Sequence, residues 1–391
     1  MASGLRAKLN AISAAVPKVE KKPARTCGVA VYADRREADA RLFCLDGEGL
    51  RRIGWGGRAF DVRRCLFLDT ETTGLSGGAG TVAFLVGLGF IEGESFVVEQ
   101  YLMQDYSDEA DMLARIARRM QDFDAVCTFN GKNFDLPLLQ TRFTMCRMRD
   151  VWREMDQLDL LYPARRTWKL RIGSCRLCRI EEYILGQGRE GDIPGSEVPQ
   201  RYFDYLKTGD MRLLEDIIDH NRQDIYTLGT LLAHLCALYA APERETHRAD
   251  LFSMGKALEN QGELKPAREL YRIAAIPAPA GSISSLGGNA IAAQAAWRMY
   301  LLARKNRDTE AMREILEQMA MRRQLREKIY IELSKLYEHQ YKNPQRALRY
   351  ADLAARYIPP EEMDGLNRRR SRLRTKIGKQ QTGRKNQYGL F

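Results

Sequence analysis

The sequence predicts an α/β domain built on a mixed sheet, followed by an all-α domain of paired helices. Three observations predict this. From residue 65 to about 143, apolar strand-like runs first meander and then alternate with amphipathic helical patterns. From about 155 to 240 the pattern is mostly helical, broken by one Gly/Pro-rich loop between Gly186 and Pro199. Beyond Pro242 no strand signal remains, and alanine-rich helical segments recur.

Taken in order, CGVAVYA (27–33) and ARLFCLDG (40–47) read as short strands, with GWGG (54–57) as a turn. Cys65 to Leu68 is a continuous apolar run, the pattern of a strand covered on both faces. Thr81 to Met103 reads as two strands around a turn at Glu92-Gly93-Glu94. The following segment is an amphipathic helix with Met112, Leu113, Ile116 and Met120 on one stripe. Ala125 to Asn130 is a further buried strand, and Leu136 to Phe143 opens another helix. A late amphipathic helix carries Ile217, Ile218, Ile225, Leu228, Leu231 and Leu232 as its apolar positions.

In the C-terminal part, residues 251–275 place Leu251, Met254, Gly255, Leu258, Gly262, Ala267, Tyr271 and Ala274 at the small and large packing positions of a tetratricopeptide pattern. Residues 329–359 repeat its later half with Ala347, Ala351, Ala354 and Pro359, and Ala311 and Ile315 fall at comparable positions between them. Generic helical hairpins are the alternative. The expected organisation is a basic N-terminal tail (1–25), the α/β domain with its short leading strands (26–240), tetratricopeptide-like repeats (250–360) and a basic C-terminal tail (361–391).

The net charge of +11 is concentrated at the ends. Residues 1–25 carry six basic side chains against one acidic, and residues 368–391 carry nine against none, so the body between them is slightly acidic. Flexible basic tails attract phosphate backbones without regard to sequence; solubilising ends or ribosome-contacting arms are the alternatives. The eight cysteines are scattered, several within apolar runs, which suits reduced thiols in a cytoplasm better than a disulfide framework. No apolar run reaches the length of a membrane span, and the N-terminus does not read as a secretory signal.

The chemistry concentrates in CLFLDTETTGLSGG (65–78). Asp69 and Glu71 end the strand at i, i+2, so both carboxylates project to one side and repel each other. Such crowding persists where the site is solvated or holds a cation. Two more carboxylates are candidates to join them. Asp135, in TFNGKNFDLPLL, follows the buried strand at a strand-to-helix junction, where a helix N-cap is the alternative reading. Asp224, in HNRQD, shares a helical face with His220 one turn earlier, a pattern that a solvated polar face also explains.

In this order the three pieces resemble the DEDD superfamily of ribonuclease-H-like 3′→5′ exonucleases. With GAGTVAFLVG and DIPG added, they look like the YprB-like ribonuclease-H-like family, which often carries C-terminal tetratricopeptide repeats. The resemblance covers residues 60–240 well and 250–360 more loosely. It implies a ribonuclease-H-like sheet flanked by helices and two bound Mg²⁺ or Mn²⁺ ions. Asp69 would bridge the ions, Glu71 and Asp224 would hold the water-activating one, and Asp135 would act through bound water. Thr72, Gly74 and Leu75 would meet the terminal nucleotide, and Asn130 belongs to the same substrate-binding set. Hard divalent cations prefer such oxygen ligands, and two of them serve phosphodiester hydrolysis. The sequence departs from the superfamily at the base. The water is oriented there by a Tyr four residues before the last Asp or a His five before it, whereas here His220 stands four before Asp224.

The reading is a cytoplasmic, metal-dependent exonuclease acting on single-stranded DNA or RNA, its repeats offering a surface to a protein partner, with no membrane partner. The alternative is a nucleic-acid-binding or assembly protein that keeps the fold with little turnover. Cys175 and Cys178 have zinc-like spacing but no second pair of ligands nearby. Asp159 reads as a helix-start carboxylate, or as a supporting residue of the site. Lys169, Arg171, Arg176 and Arg179 read equally as a phosphate track and as a solvated helix face.

Overall fold

The computed structural model describes residues 28–56, 59–74, 80–149, 154–189, 191, 193–277 and 285–387. The expected N-terminal tail and Leu75 lie outside them. The chain divides into two compact units: the described parts of 1–43, 57–159 and 189–231, and those of 44–56, 160–188 and 232–391.

The first unit holds a six-stranded mixed sheet in the order β1-β4-β3-β2-β5-β6. Its strands are β1 (Val29–Glu37), β2 (Cys65–Thr72), β3 (Ala83–Glu92), β4 (Ser95–Met103), β5 (Ala125–Thr128) and β6 (Asp156–Asp159). β1, β4, β3 and β2 pair antiparallel, whereas β2, β5 and β6 pair parallel. Leu66, Phe67 and Leu68 of β2 are completely buried, as a central strand covered on both faces requires. The β3–β4 hairpin closes at Gly93, whose φ of +64° is the left-handed conformation that a two-residue turn demands of one position. Helix α2 (Glu109–Met120) presses Met112, Leu113, Ile116 and Met120 into the core beneath the sheet. Helices α3 (Asp135–Met145), α6 (Val198–Thr208) and the first part of α7 (Arg212–Ala240) complete its cover. Tyr202 seats α6 by stacking on Phe84, ring centroids 4.1 Å apart, and by donating to the Met103 carbonyl at 3.0 Å.

Two local expectations fail. ARLFCLDG is not a strand: Ala40–Cys44 is a 3₁₀ turn, and Asp46 caps α1 (Gly47–Ile53) by accepting from the Gly49 N–H at 2.7 Å. The sequence DQLD at 156–159 gave no strand signal, yet it forms β6, because backbone pairing with β5 carries this edge and not its side chains.

The second unit is all helical among its described residues: α1, α4 (Leu161–Ile172), α5 (Leu177–Ile180, continued by a π turn to Leu185), α8 (Arg248–Asn260), α9 (Leu264–Ala274), α10 (Ser285–Lys305), α11 (Thr309–Met321), α12 (Arg326–His339), α13 (Pro344–Ala354) and α14 (Met363–Gln387), with the end of α7. The expected boundary near residue 240 is thus an interleaved one. Residues 44–56 and 160–188 pack with the helices, Arg52 pairing with Glu263 at 2.7 Å and Thr167 sharing a 3.0 Å hydrogen bond with Tyr239. The small positions expected of paired helices are closed: Ala267, Ala274, Ala347, Ala351 and Ala354 have no exposed surface. A Cβ on Gly255 would stand 2.7 Å from the Tyr271 ring. Ala311 and Ile315 are only half-buried. Among the described residues no helix is long and apolar enough to cross a membrane. The seven described cysteines are free thiols, and Cys175 is spent on a buried contact with the Ala164 carbonyl.

Most of the expected flexible C-terminal tail is helix α14. Leu366 and Leu373 are buried, and Arg369, Arg372 and Lys376 converge on Glu338 of α12 at 2.6, 3.0 and 2.7 Å. Arg370 pairs with Asp352 at 2.7 Å, so four of the nine basic residues in 368–391 are engaged inside the protein. Arg171 is likewise spent on buried Asp250, at 3.1 Å. Burial alone would raise the Glu338 carboxyl; hydrogen bonds from Arg372 and Lys376 and the guanidinium charges outweigh it and hold it at about 2. Replacing Glu338 by Gln leaves three cations facing a neutral amide and is expected to cost about 3 kcal/mol. Because the folded carboxyl lies below its ordinary value, this stability is present above about pH 4.5 and is lost as pH falls towards about 2. Denaturation of wild type and Glu338→Gln should therefore differ at pH 7 and converge near pH 2, and tryptic cleavage within α14 at pH 7 should be faster in the variant. An equal cleavage rate at pH 7 would refute the anchor.

Candidate active site

The site forms at the C-terminal end of β2, and what builds it is the approach of α7 to the sheet. Asp69 pairs across the antiparallel ladder with Gly87 of β3, and Phe67 with Gly89. A Cβ on Gly87 would stand 2.3 Å from the Asn221 Oδ1, and one on Gly89 would stand 2.4 Å from Ile225 Cγ2. On the helix side, a Cβ on Gly229 would stand 2.5 Å from the Phe96 ring. Asn221, Ile225 and Gly229 lie four residues apart on one helical face, so the helix sits on a groove of missing side chains. Asn221, fully buried, donates to Asp69 Oδ2 at 2.9 Å and accepts from Gln100 at 2.8 Å.

This seating brings Asp224 of α7 to Asp69 and Glu71. Asp135 arrives from α3. Asn130 has φ +69°, and Asp159 at the end of β6 accepts from the N–H groups of Asn130 and Lys132 at 2.8 and 3.2 Å. Asp159 therefore clamps the turn that delivers Asp135, and is not the start cap expected for α4. Asp135 is the first residue of α3 and provides no side-chain cap; its Oδ1 accepts from the buried Thr70 hydroxyl at 2.5 Å.

The electrostatics of the four carboxylates are those of unsatisfied neighbours. Close packing, and then the charges of Asp224, Asp135 and Glu71, hold the Asp69 carboxyl well above its ordinary range; Asn221 offsets this in part. Burial pushes Asp135 up to about 6 against the hydrogen bond from Thr70. An all-carboxylate, oxygen-only donor set whose members repel one another is what a hard divalent cation fits. Among the described residues, however, no three His, Cys, Asp or Glu side chains stand at the spacing that holds an ion.

Arg189, which nothing in the sequence singled out, brings a positive charge to the cluster. Its guanidinium pairs with Asp224 Oδ1 and lies 3.1 Å from His220 Nδ1. His220 Nε2 lies 3.6 Å from Asp224 and 4.0 Å from Glu71. All five expected residues, Asp69, Glu71, Asp135, His220 and Asp224, thus share one neighbourhood. The expected substrate positions divide. The Thr72 hydroxyl donates to the Gly74 carbonyl at 2.7 Å, beside the register shift at Glu71/Thr72, and shapes the turn leaving β2. The Asn130 N–H is committed to Asp159, and Leu75 lies outside the described residues. Asn221 had a signal in the sequence, since Gly87 and Gly89 inside an otherwise apolar strand mark a close approach.

Residues 66–236 match the family model described as RNase_H superfamily, a span running from β2 into α7 that contains every residue of the cluster. A protein of Bacillus subtilis (strain 168) that bears the name "Uncharacterized protein YprB" is 28% identical over 327 residues, covering 82% of this chain and 76% of its own length. The mixed sheet with its flanking helices is consistent with an RNase H-like fold, and a domain of this superfamily suggests nuclease-like chemistry and nucleic-acid binding. RNase H-like nucleases commonly use divalent metals.

Replacing Gly87 by Ala forces a methyl group into the seat of Asn221 and Ile225, and is expected to cost about 1–3 kcal/mol through overpacking. Thermal unfolding of Gly87→Ala should show it. A melting curve identical to wild type would mean that α7 is not held this close.

Proposed function

We propose that the first unit is a divalent-cation-dependent 3′→5′ exonuclease of DEDD type, acting on single-stranded DNA or RNA. The observation that carries the reading is the convergence on Asp69 of Glu71 from the same strand and of Asp135 and Asp224 from two helices, at the cost of mutual repulsion. Asp69, Glu71, Asp135 and Asp224 would hold two Mg²⁺ or Mn²⁺ ions, which when bound supply Lewis acidity to the scissile phosphodiester. Asn221 fixes the Asp69 carboxylate from behind, and Thr70 fixes Asp135. The turn at Thr72 and Gly74 borders the cluster and is the proposed seat of the 3′-terminal nucleotide, together with Leu75. His220 is the proposed base. Arginine has only donors, so Nδ1 accepts from Arg189 and the proton sits on Nε2, facing the carboxylates. Nε2 can take a proton only in the other tautomer, once Arg189 has left Nδ1.

The same guanidinium favours a second reading, a nucleic-acid-binding or assembly protein without turnover, because it already neutralises Asp224. The helical unit supports either one. We read it as tetratricopeptide-like, on the closed Ala267, Tyr271 and Gly255 packing, and assign it a protein partner.

End-labelled single strands of DNA and RNA, incubated with the protein and Mn²⁺ or chelator, separate the two readings: shortening from the 3′ end with Mn²⁺ alone supports the exonuclease. Asp69→Asn should abolish it without lowering the melting temperature, since the charge it removes is one the fold resists. Full turnover in this variant would end the assignment. His220→Ala should slow turnover by roughly 10²–10⁴-fold with strand binding retained; turnover at the wild-type rate would remove His220 from the mechanism.

A further inference from the structure

We propose that Arg189 is a built-in stand-in cation: in the ion-free protein it occupies the charge position at Asp224 and withholds His220, and a divalent cation must displace it before the site can work. The inference rests on the reading of the carboxylate cluster as a cation site, and deepens it by naming how that site is held closed.

Three observations carry it. First, the guanidinium pairs with one of the four carboxylates in a poorly solvated place. Its side chain is 13% exposed, beside an Asp224 side chain that is 14% exposed, so the pair has little solvent to screen it. Second, one guanidinium engages both late-helix residues of the cluster at once, Asp224 through one nitrogen and His220 Nδ1 through another. A lysine could not present two donors in that fixed fork. Third, the pair stands among further negative charge: Asp69, Glu71 and Asp135 share its neighbourhood. With Arg189 in place, Asp224 faces the guanidinium. With Arg189 gone, Asp224 is left among like charges that only a cation can reconcile.

The consequence is a coupled event. A divalent ion and the guanidinium cannot both be held against Asp224 without repelling each other, so ion binding expels Arg189 from Asp224. The same departure frees His220 Nδ1 to carry the proton and leaves Nε2 able to accept one. No covalent step is involved; one ion pair and one hydrogen bond are exchanged for coordination of the ion. The protein folds with Asp224 paired, and opening that pair costs the ion part of its binding energy.

The test uses the full chain and Mn²⁺ as the probe. Calorimetric titration is compared for wild type, Arg189→Gln, Asp69→Asn and the double variant, with melting temperatures in chelator and in Mn²⁺. Removing the internal competitor should tighten Mn²⁺ binding on the order of tenfold. Arg189→Gln should also melt lower than wild type in chelator and gain more on adding Mn²⁺ than wild type gains. Asp69→Asn should remove the binding in both backgrounds. If Arg189→Gln binds Mn²⁺ no tighter than wild type while Asp69→Asn removes binding, Arg189 is a structural contact and the inference falls with the cation site intact. If Asp69→Asn binds as well as wild type, the cation-site reading itself falls. Should Arg189→Gln not fold, Arg189→Lys keeps the charge but loses the fork. The imidazole nitrogen shifts of ¹⁵N-histidine-labelled protein then report the change: His220 protonated at Nε2 in wild type, and no longer so fixed in the variant. Unchanged shifts would count against the proposal.

Discussion

The site depends on one close approach, that of α7 to the β2–β3 ladder. Ordinary side chains would hold a helix well clear of the sheet, beyond the reach of a short amide. Here Gly87 and Gly89 remove the side chains from two consecutive positions on one face of β3, and Gly229 removes one from the helix. Only at that separation can Asn221 bridge the Asp69 carboxylate and the Gln100 amide. Asp224 follows three residues later, one turn along the same helix, and is carried to the end of β2 by the same packing. Glycine weakens a strand interior, so the groove costs the sheet some stability. The deeply apolar face of α7, with Ile217, Ile225, Leu228 and Leu231 essentially without exposure, is what offsets it.

The two units answer buried charge in opposite ways. Glu338 receives three cations from α14 and its carboxyl falls to about 2, the signature of an acid whose charge is wanted. Asp69 receives one amide and three like charges, and its carboxyl rises. An acid pushed upward first by burial and then by its own neighbours, when a single substitution would relieve it, is a pattern that supports the proposed ligand site. Arg189 softens the repulsion at Asp224 without abolishing it at Asp69. The cluster tolerates its charge through three unlike devices, an amide at Asp69, a hydroxyl at Asp135 and a guanidinium at Asp224.

What could be read from the chain alone follows from how local each signal is. The Cys65–Leu68 strand, the hairpin about Gly93 and the stripe on α2 are written within a dozen residues, and each folds as its pattern dictates. Asp69 and Glu71 could be paired from their i, i+2 spacing, whereas Asp135 and Asp224 joined them only through the resemblance of the three motifs taken in order. β6 was not: four polar residues become a strand only because β5 offers an edge. The short stretches 44–56 and 160–188 could not be assigned to the helical unit, since the residues that hold them, Glu263 and Tyr239, lie far along the chain. The C-terminal charges read as a tail because Glu338, the acid they converge on, precedes the basic run by some thirty residues. Arg189 sits in a glycine-rich loop with no periodicity to mark it, and only the fold reveals that it lies against Asp224.

Several departures from local folding rules share one address. Two carboxylates end a buried strand, two glycines interrupt the strand beside it, an asparagine adopts positive φ, and an aspartate on an edge strand spends both oxygens on another loop's amides. Each alone is a small cost that a sequence selected only for stability would shed. All of them act on the C-terminal end of β2: the glycines admit α7, the positive-φ asparagine turns the chain towards α3, and Asp159 holds that turn. Where several unfavourable local choices serve one point in space, the fold is sustaining that point against its own preference, which is what the proposed function requires of it.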